Sequence, residues 1–174
     1  AIARTRWASG AGSAFEAPAT GATLLLPIMP VNTGSQSSVL AAQNAGDTGI
    51  QVAIQASDPL TGETLLANQV ALGANEGTEW DTAVERFIFD PDLLKPNVDG
   101  GFLGPLRINS GGSTALINYI DERDGPATAA VVARPVSAAN AVQILPRVRS
   151  AVDGGSLVAI ANASLATIQV TVRF

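Results

Sequence analysis

The chain has 174 residues, enough for one domain or for one domain and part of a second. Only 14% of the residues are charged, the net charge is −5, and the ten basic residues are scattered, which argues against a nucleic-acid partner. The chain contains no Cys and no His, which excludes disulfides, thiolate zinc sites, a cysteine nucleophile and the usual serine triad.

The N-terminal stretch combines a strand-like start with a connector. Ala1–Trp7 alternates in a period of two and is compatible with a strand, with a disordered tail as the alternative. Ala8–Gly21 is rich in Gly, Ala, Ser and Pro, so we predict a flexible connector. Ile2 and Trp7 are candidate interface side chains in this stretch.

Short apolar stretches then follow one another at the spacing of an all-β sandwich. The turn-forming segments Asp58–Gly62 and Gly73–Gly77 separate several of them. Phe102–Asn109 and Thr114–Glu122 are predicted to form a hairpin around Ser110-Gly-Gly-Ser113. The other predicted strands are Thr23–Val31, Gln36–Asn44, Ile50–Gln55, Thr64–Leu72 and Thr78–Asp90.

The larger members of the alternating pairs and the isolated aromatic residues are the predicted core. Pro27 and Pro30 should place their strand at a sheet edge or at a bulge. No stretch reaches the roughly 18 apolar residues of a membrane span, so no membrane insertion is expected. The residues predicted to be buried are Leu40, Ile50, Val52, Ile54, Trp80, Phe87, Phe102 and Ile117.

The C-terminal part of the sequence repeats an earlier part. Ile144–Val148 resembles Leu25–Met29, and Ser156–Ser164 resembles Ser38–Gly46. Ile168-Gln-Val-Thr-Val resembles Ile50-Gln-Val-Ala-Ile. The first pair is separated by 119 residues and the other two by 118, and a separation that is constant apart from a single gap indicates repeated structural units. We therefore expect one whole unit followed by the opening strands of another.

These patterns resemble the tandem immunoglobulin-like β-sandwich repeat domains of bacterial cell-surface and secreted proteins. The quoted segments that carry the resemblance are Leu-Leu-Leu-Pro-Ile-Met, Ser-Ser-Val-Leu-Ala-Ala-Gln-Asn-Ala-Gly and Ile-Gln-Val-Ala-Ile. The resemblance covers about residues 23–133 and restarts at Val142. It implies an antiparallel immunoglobulin-like β-sandwich that serves as a building or spacing module, found at the cell surface or outside the cell.

Few residues suggest site chemistry. Asp90, Asp92 and Asp99 fall in one loop, and Asp121, Glu122 and Asp124 fall in another. Carboxylates of this kind could bind Ca²⁺, but their spacing fits no EF-hand, and solvated turns are the better interpretation. No cofactor or metal is therefore expected. Trp7 and Trp80 could be ligand platforms, although packing is the better explanation.

Asn162-Ala-Ser164 is a formal glycosylation sequon, so a glycan at Asn162 is conceivable. It lies where the first unit has Asn44-Ala-Gly46. A turn role therefore explains the same pattern without a sugar.

The expected organisation is an N-terminal extension (1–22), a β-sandwich domain (23–134) and a partial second repeat (135–174). The three strands expected in the partial repeat would leave an apolar face bare. We therefore predict a non-enzymatic structural subunit of an extracellular, pilus-like filament or a surface layer. A neighbouring copy, through Ala1–Ala22, would complete the repeat head to tail. The interface residues expected there are Val158, Ile160, Ile168, Val170 and Val172.

Three alternatives remain open from the sequence. The chain could be a monomeric adhesin or carbohydrate-binding surface module. It could be an enzyme, although the missing His and Cys make this improbable. It could also be one piece of a longer tandem array.

Overall fold

The computed structural model describes residues 2–6, 12–16, 18–33, 36–82, 94, 101–122, 128–138, 158–164 and 166–173. This part of the chain is all-β and antiparallel, as predicted, with one short 3-10 helix at Val136–Ala138. The strands are β1 (Ile2–Arg6), β2 (Gly12–Glu16), β3 (Gly21–Val31), β4 (Gln36–Asn44), β5 (Ile50–Ser57), β6 (Thr64–Leu72), β7 (Gly77–Asp81), β8 (Phe102–Glu122), β9 (Thr128–Val132) and β10 (Arg134–Pro135).

Eight of the strands form one sheet that is organised by β8, which is 21 residues long. Residues 102–110 of β8 lie between β3 and β5, with β10 beyond β3 and β6 beyond β5. We call this group of strands the first arm. Residues 114–122 of β8 lie between β4 and β9, with β7 beyond β4. These strands form the second arm.

The predicted hairpin within residues 102–122 is wrong. Ser110-Gly-Gly-Ser113 continues the extended strand, and the two halves of β8 pair with different neighbours rather than with each other. Glycine adopts extended backbone as readily as turn backbone, so the local sequence did not distinguish the two. Strands that are distant in sequence hold both edges of β8 and determine its course.

Of the two prolines predicted to lie at an edge or a bulge, Pro27 lies at an irregularity, whereas Pro30 pairs in register with Leu103 of β8. The β3–β8 register shifts between Leu26 and Met29, the interval that contains Pro27. Proline has no N–H to donate to a ladder, and a bulge removes the need for that bond. The bulge therefore lets β3 keep β8 as its partner on both sides of Pro27.

Side chains from both arms form a single core. Of the residues predicted to be buried, Leu40, Val52, Ile54, Trp80 and Phe102 are buried. Ile50 and Ile117 are half-buried, and Phe87 lies outside the described residues. Further members of the core are Leu24, Leu26, Met29, Leu66, Leu106, Ile108 and Leu116.

The N-terminal stretch contains more structure than the sequence indicated. β1 pairs with β2 in a two-stranded antiparallel ladder that runs from Ile2 opposite Glu16 to Arg6 opposite Gly12. The prediction of a flexible connector over Ala8–Gly21 is therefore wrong for Gly12–Glu16. Small residues permit a strand when a partner strand lies beside them.

Candidate functional site: an exposed apolar segment

The turn between β4 and β5 is built around one buried asparagine. The Asn44 side chain is fully buried, and its Nδ2 donates to Thr48 O and to Gly73 O, both at 2.7 Å. Its Oδ1 accepts a hydrogen bond from Gly46 N at 2.9 Å. An asparagine that bonds to nearby backbone in this way fixes the turn. The bond to Gly73 also ties the turn to the loop between β6 and β7.

The second copy of this sequence adopts the same local geometry. Asn162 Nδ2 donates to Ala166 O at 2.7 Å, and Asn162 Oδ1 accepts from Ser164 N at 2.9 Å. Asn162, Ser164 and Ala166 correspond to Asn44, Gly46 and Thr48 of the first copy. The turn geometry therefore follows from the local sequence and forms at Asn162 without the β-ladder neighbours of the first copy.

The two copies differ in what surrounds them. Residues 158–173, which we call the exposed segment, contain no strand or bridge in their described positions, 158–164 and 166–173. The exposed fractions of Val158, Ile160, Ile168, Val170 and Val172 are 40%, 56%, 50%, 53% and 54%. At the corresponding positions of the first copy, Leu40, Val52 and Ile54 are each 0% exposed and Ala42 is 3% exposed. Only Ile50, which corresponds to Ile168, is half-buried there.

The difference in exposure has an energetic consequence. Burying the remaining surface of these five side chains would contribute roughly 5 kcal/mol, at about 1 kcal/mol for each half-exposed aliphatic side chain. This amount is comparable with the net stability of an ordinary domain. The exposed segment is therefore the surface with the strongest drive to associate in the described part of the chain.

A cleft of about 670 Å³ is lined jointly by residues of the exposed segment and by residues of the main sheet. The residues that line the cleft include Pro27 and Ile28 of β3, Pro105 and Arg107 of β8, and Val158 and Ile160 of the exposed segment. One Arg107 guanidinium N–H donates to Ala163 O at 3.2 Å. Arg107 was not singled out from the sequence. It is the only basic residue in β8, and that isolation was the available signal.

The structure places the other predicted interface residues only in part. Ile2 lies in β1 and faces Glu16 across the β1–β2 ladder. Trp7 lies outside the described residues. The structure therefore describes the exposed segment and Ile2, while their association in an assembly stays a prediction.

The alternative sites have little support in the described residues. No group of three or more Asp or Glu side chains there is arranged to hold a metal ion. Asp90, Asp92, Asp99 and Asp124 lie outside those residues, whereas Asp121 and Glu122 end β8. Trp80 is only 4% exposed and belongs to the core, so it is not a ligand platform.

The sequon asparagine has a structural role. Asn162 is exposed, and its side chain holds the turn described above. This turn accounts for the Asn-Ala-Ser pattern without a sugar. Glycan attachment at Asn162 stays a prediction.

Comparisons with protein-family models, with curated proteins and with solved structures gave no match. In the described residues, no helix has the length and apolar character needed to cross a bilayer.

Proposed function

We propose that the chain is a structural subunit of an extracellular filament or surface layer. In this proposal the subunits are immunoglobulin-like β-sandwiches, and each exposed segment is completed by strands of a neighbouring subunit. The role is assembly rather than catalysis. The observation that carries the proposal is the pair of matched sequences, one covered by strands and one exposed.

The matched pair of sequences favours association by strand addition over unspecific apolar association. Val158 and Ile160 alternate with Ala159 and Ala161, and the same alternation lets β4 present one face to the core. A segment patterned in this way is suited to β-augmentation, in which main-chain hydrogen bonds join two chains. A contact between two different surfaces of the subunit propagates into a fibre or a lattice when the rotation between subunits does not close a ring.

The decisive experiment places a charge within the exposed segment. Val170→Asp should abolish filaments seen by negative-stain electron microscopy, because it puts a carboxylate into a surface that assembly would bury. Leu60→Asp is the matched control, since Leu60 is 90% exposed and lies in the turn between β5 and β6. The control should assemble as the unchanged chain does.

Three outcomes would contradict the proposal. Filaments of Val170→Asp with unchanged yield would remove the exposed segment from the assembly contact. Equal loss with Leu60→Asp would indicate unspecific apolar association. A stable monomer of the unchanged chain at all concentrations would favour a monomeric surface module instead.

A further inference from the structure

The two halves of the exposed segment differ in how they meet solvent. In residues 158–164 exposure alternates along the chain, because Val158 and Ile160 are exposed while the residues between and after them are half-buried alanines. These alanines are Ala159, Ala161 and Ala163. In residues 166–173 every described position is exposed. An extended chain that lies on a surface covers every second side chain. Residues 158–164 therefore rest on the protein through their alanines, whereas residues 166–173 are exposed on both faces.

The surface beneath these alanines is the outer face of the first arm. Leu106 and Ile108 are fully buried in the core, so Arg107 between them points to the opposite face of β8. Leu25 and Gln55 face Arg107 in the two neighbouring ladders, and all three residues are half-buried. This row of side chains and two of the alanines line the same cleft. The outer face of the first arm is thus the support on which the first half of the exposed segment lies.

Arg107 holds the point where the two halves meet. Its guanidinium N–H donates to Ala163 O at 3.2 Å, and this hydrogen bond is partly buried. Ala163 lies within the turn that the Asn162 side chain closes by donating to Ala166 O. A bond to one carbonyl of a closed turn fixes the whole turn. The half that is exposed on both faces begins directly after it.

We infer that Arg107 is a positioning residue for assembly. It anchors the Asn162 turn on the outer face of the first arm, with the alanines toward the sheet and with Val158 and Ile160 toward solvent. The exposed segment is thereby presented to a neighbouring subunit in one defined orientation. This inference rests on the proposed function and adds the residue that orients its contact surface. A segment that is oriented in advance lowers the ordering cost of association.

The first test compares critical concentrations for assembly, measured by light scattering. Arg107→Met keeps the length of the side chain but removes its charge and its donors. The critical concentration should therefore rise by about fivefold to tenfold, which corresponds to the loss of one hydrogen bond to a charged group. Arg107→Lys retains a charged donor, so its critical concentration should lie between those of Arg107→Met and the unchanged chain.

Gln55→Met is the matched control. Gln55 faces Arg107 across the β5–β8 ladder and lines the same cleft without taking part in the bond to Ala163 O. The control adds the same apolar side chain to the same surface and should assemble as the unchanged chain does. Thermal unfolding midpoints of the three variants should agree within about 3 °C, because neither position belongs to the core.

The second test needs no assembly. The chain contains no Cys, so one introduced cysteine is a unique probe. Below the critical concentration, Ala161→Cys should react with a thiol reagent at least about threefold more slowly than Ile160→Cys, because access limits the reaction. Position 161 is half-buried, whereas Ile160 is 56% exposed. Combining either cysteine variant with Arg107→Met should make the two rates equal.

Several results would overturn the inference. Equal rates at positions 160 and 161, or a difference that persists with Arg107→Met, would show that Arg107 does not orient the segment. An unchanged or lower critical concentration for Arg107→Met would show that this orientation does not favour assembly. A lower unfolding midpoint for Arg107→Met alone would assign it a role in folding instead. If the rates behave as expected but the unchanged chain never assembles, the proposed function fails while Arg107 still orients the segment.

Discussion

At the scale of single residues, the two asparagines give a matched pair. Asn44→Ala should lower the free energy of unfolding by about 2 kcal/mol, since three side-chain hydrogen bonds are lost: those donated to Thr48 O and Gly73 O and the one accepted from Gly46 N. Asn162→Ala should change it by less than about 0.5 kcal/mol, because Asn162 is exposed and lies outside the core. Urea unfolding of both variants measures the difference. Equal effects would mean that Asn162 also stabilises the folded domain.

Glycines of β8 provide a second comparison. A Cβ on Gly104 would overlap the Phe102 ring and lie 2.9 Å from Ser57 O, whereas a Cβ on Gly111 would have no atom within 4 Å. Gly104→Ala should therefore destabilise the domain by about 2 kcal/mol through overpacking. Gly111→Ala should cost less than about 0.5 kcal/mol. Thermal unfolding checks both values, and a neutral Gly104→Ala would contradict the close packing of β5 on β8.

At the scale of whole elements, the N-terminal strands β1 and β2 form a separate two-stranded sheet, and β2 lies against β9 of the main sheet. Removing residues 1–18 leaves β3 intact, because β3 begins at Gly21. A two-stranded ladder is marginal on its own, so the unfolding midpoint of the main domain should change little. Circular dichroism measures this midpoint. Loss of cooperative unfolding in the shortened chain would show that the hairpin is part of the folding unit.

The same deletion tests the donor role that the sequence suggested. If a surface of the neighbouring subunit other than its N-terminal segment completes the exposed segment, removal of residues 1–18 should leave filaments intact in electron micrographs. If filaments disappear while the domain stays folded, the N-terminal segment is the donor. The hairpin would then have to open during assembly, since β1 and β2 pair within the chain.

The sequence correctly predicted those strands whose local residue pattern is sufficient to specify extended backbone, whichever strands they pair with. The alternation of larger and smaller side chains, together with the turn-forming residues between strands, predicted β4 and β6 with their observed bounds, Gln36–Asn44 and Thr64–Leu72. The same signals failed at Ser110–Ser113 and at Gly12–Glu16. Small and turn-prone residues are extended there because of strands elsewhere in the chain. A local pattern carries no information about such distant partners.

The candidate site was predictable for a related reason. Repetition of Asn44 at Asn162, and of Val52 at Val170, required only the sequence. The contact of Arg107 with Ala163 O required the fold, because the two residues lie 56 positions apart. Likewise, the Gly73 carbonyl that bonds to Asn44 is a backbone group, which residue types do not reveal.

At the scale of the whole molecule, assembly through the exposed segment should depend little on salt. Arg173 is the only charged residue in the described part of that segment. Screening acts on charges, whereas aliphatic burial and main-chain pairing are largely insensitive to it. The critical concentration for assembly should therefore change by less than about twofold between about 0.1 and 1 M NaCl. Light scattering across that range checks it, and a strong salt dependence would indicate a charged interface.

The central position of β8 has a consequence for synthesis of the chain. β8 is the partner of β3, β4 and β5, and Asn118 Nδ2 bonds to Ile28 O across 90 residues. A ribosome makes β3, β4 and β5 before β8, so these strands must wait for their common partner before the main sheet can form. Nascent chains halted at residue 101 should therefore be digested rapidly by protease, whereas chains that expose residue 134 should resist. A chain whose sheet depends on so late a strand stays unfolded through most of its synthesis, and its early strands depend on other factors to avoid unspecific pairing during that time.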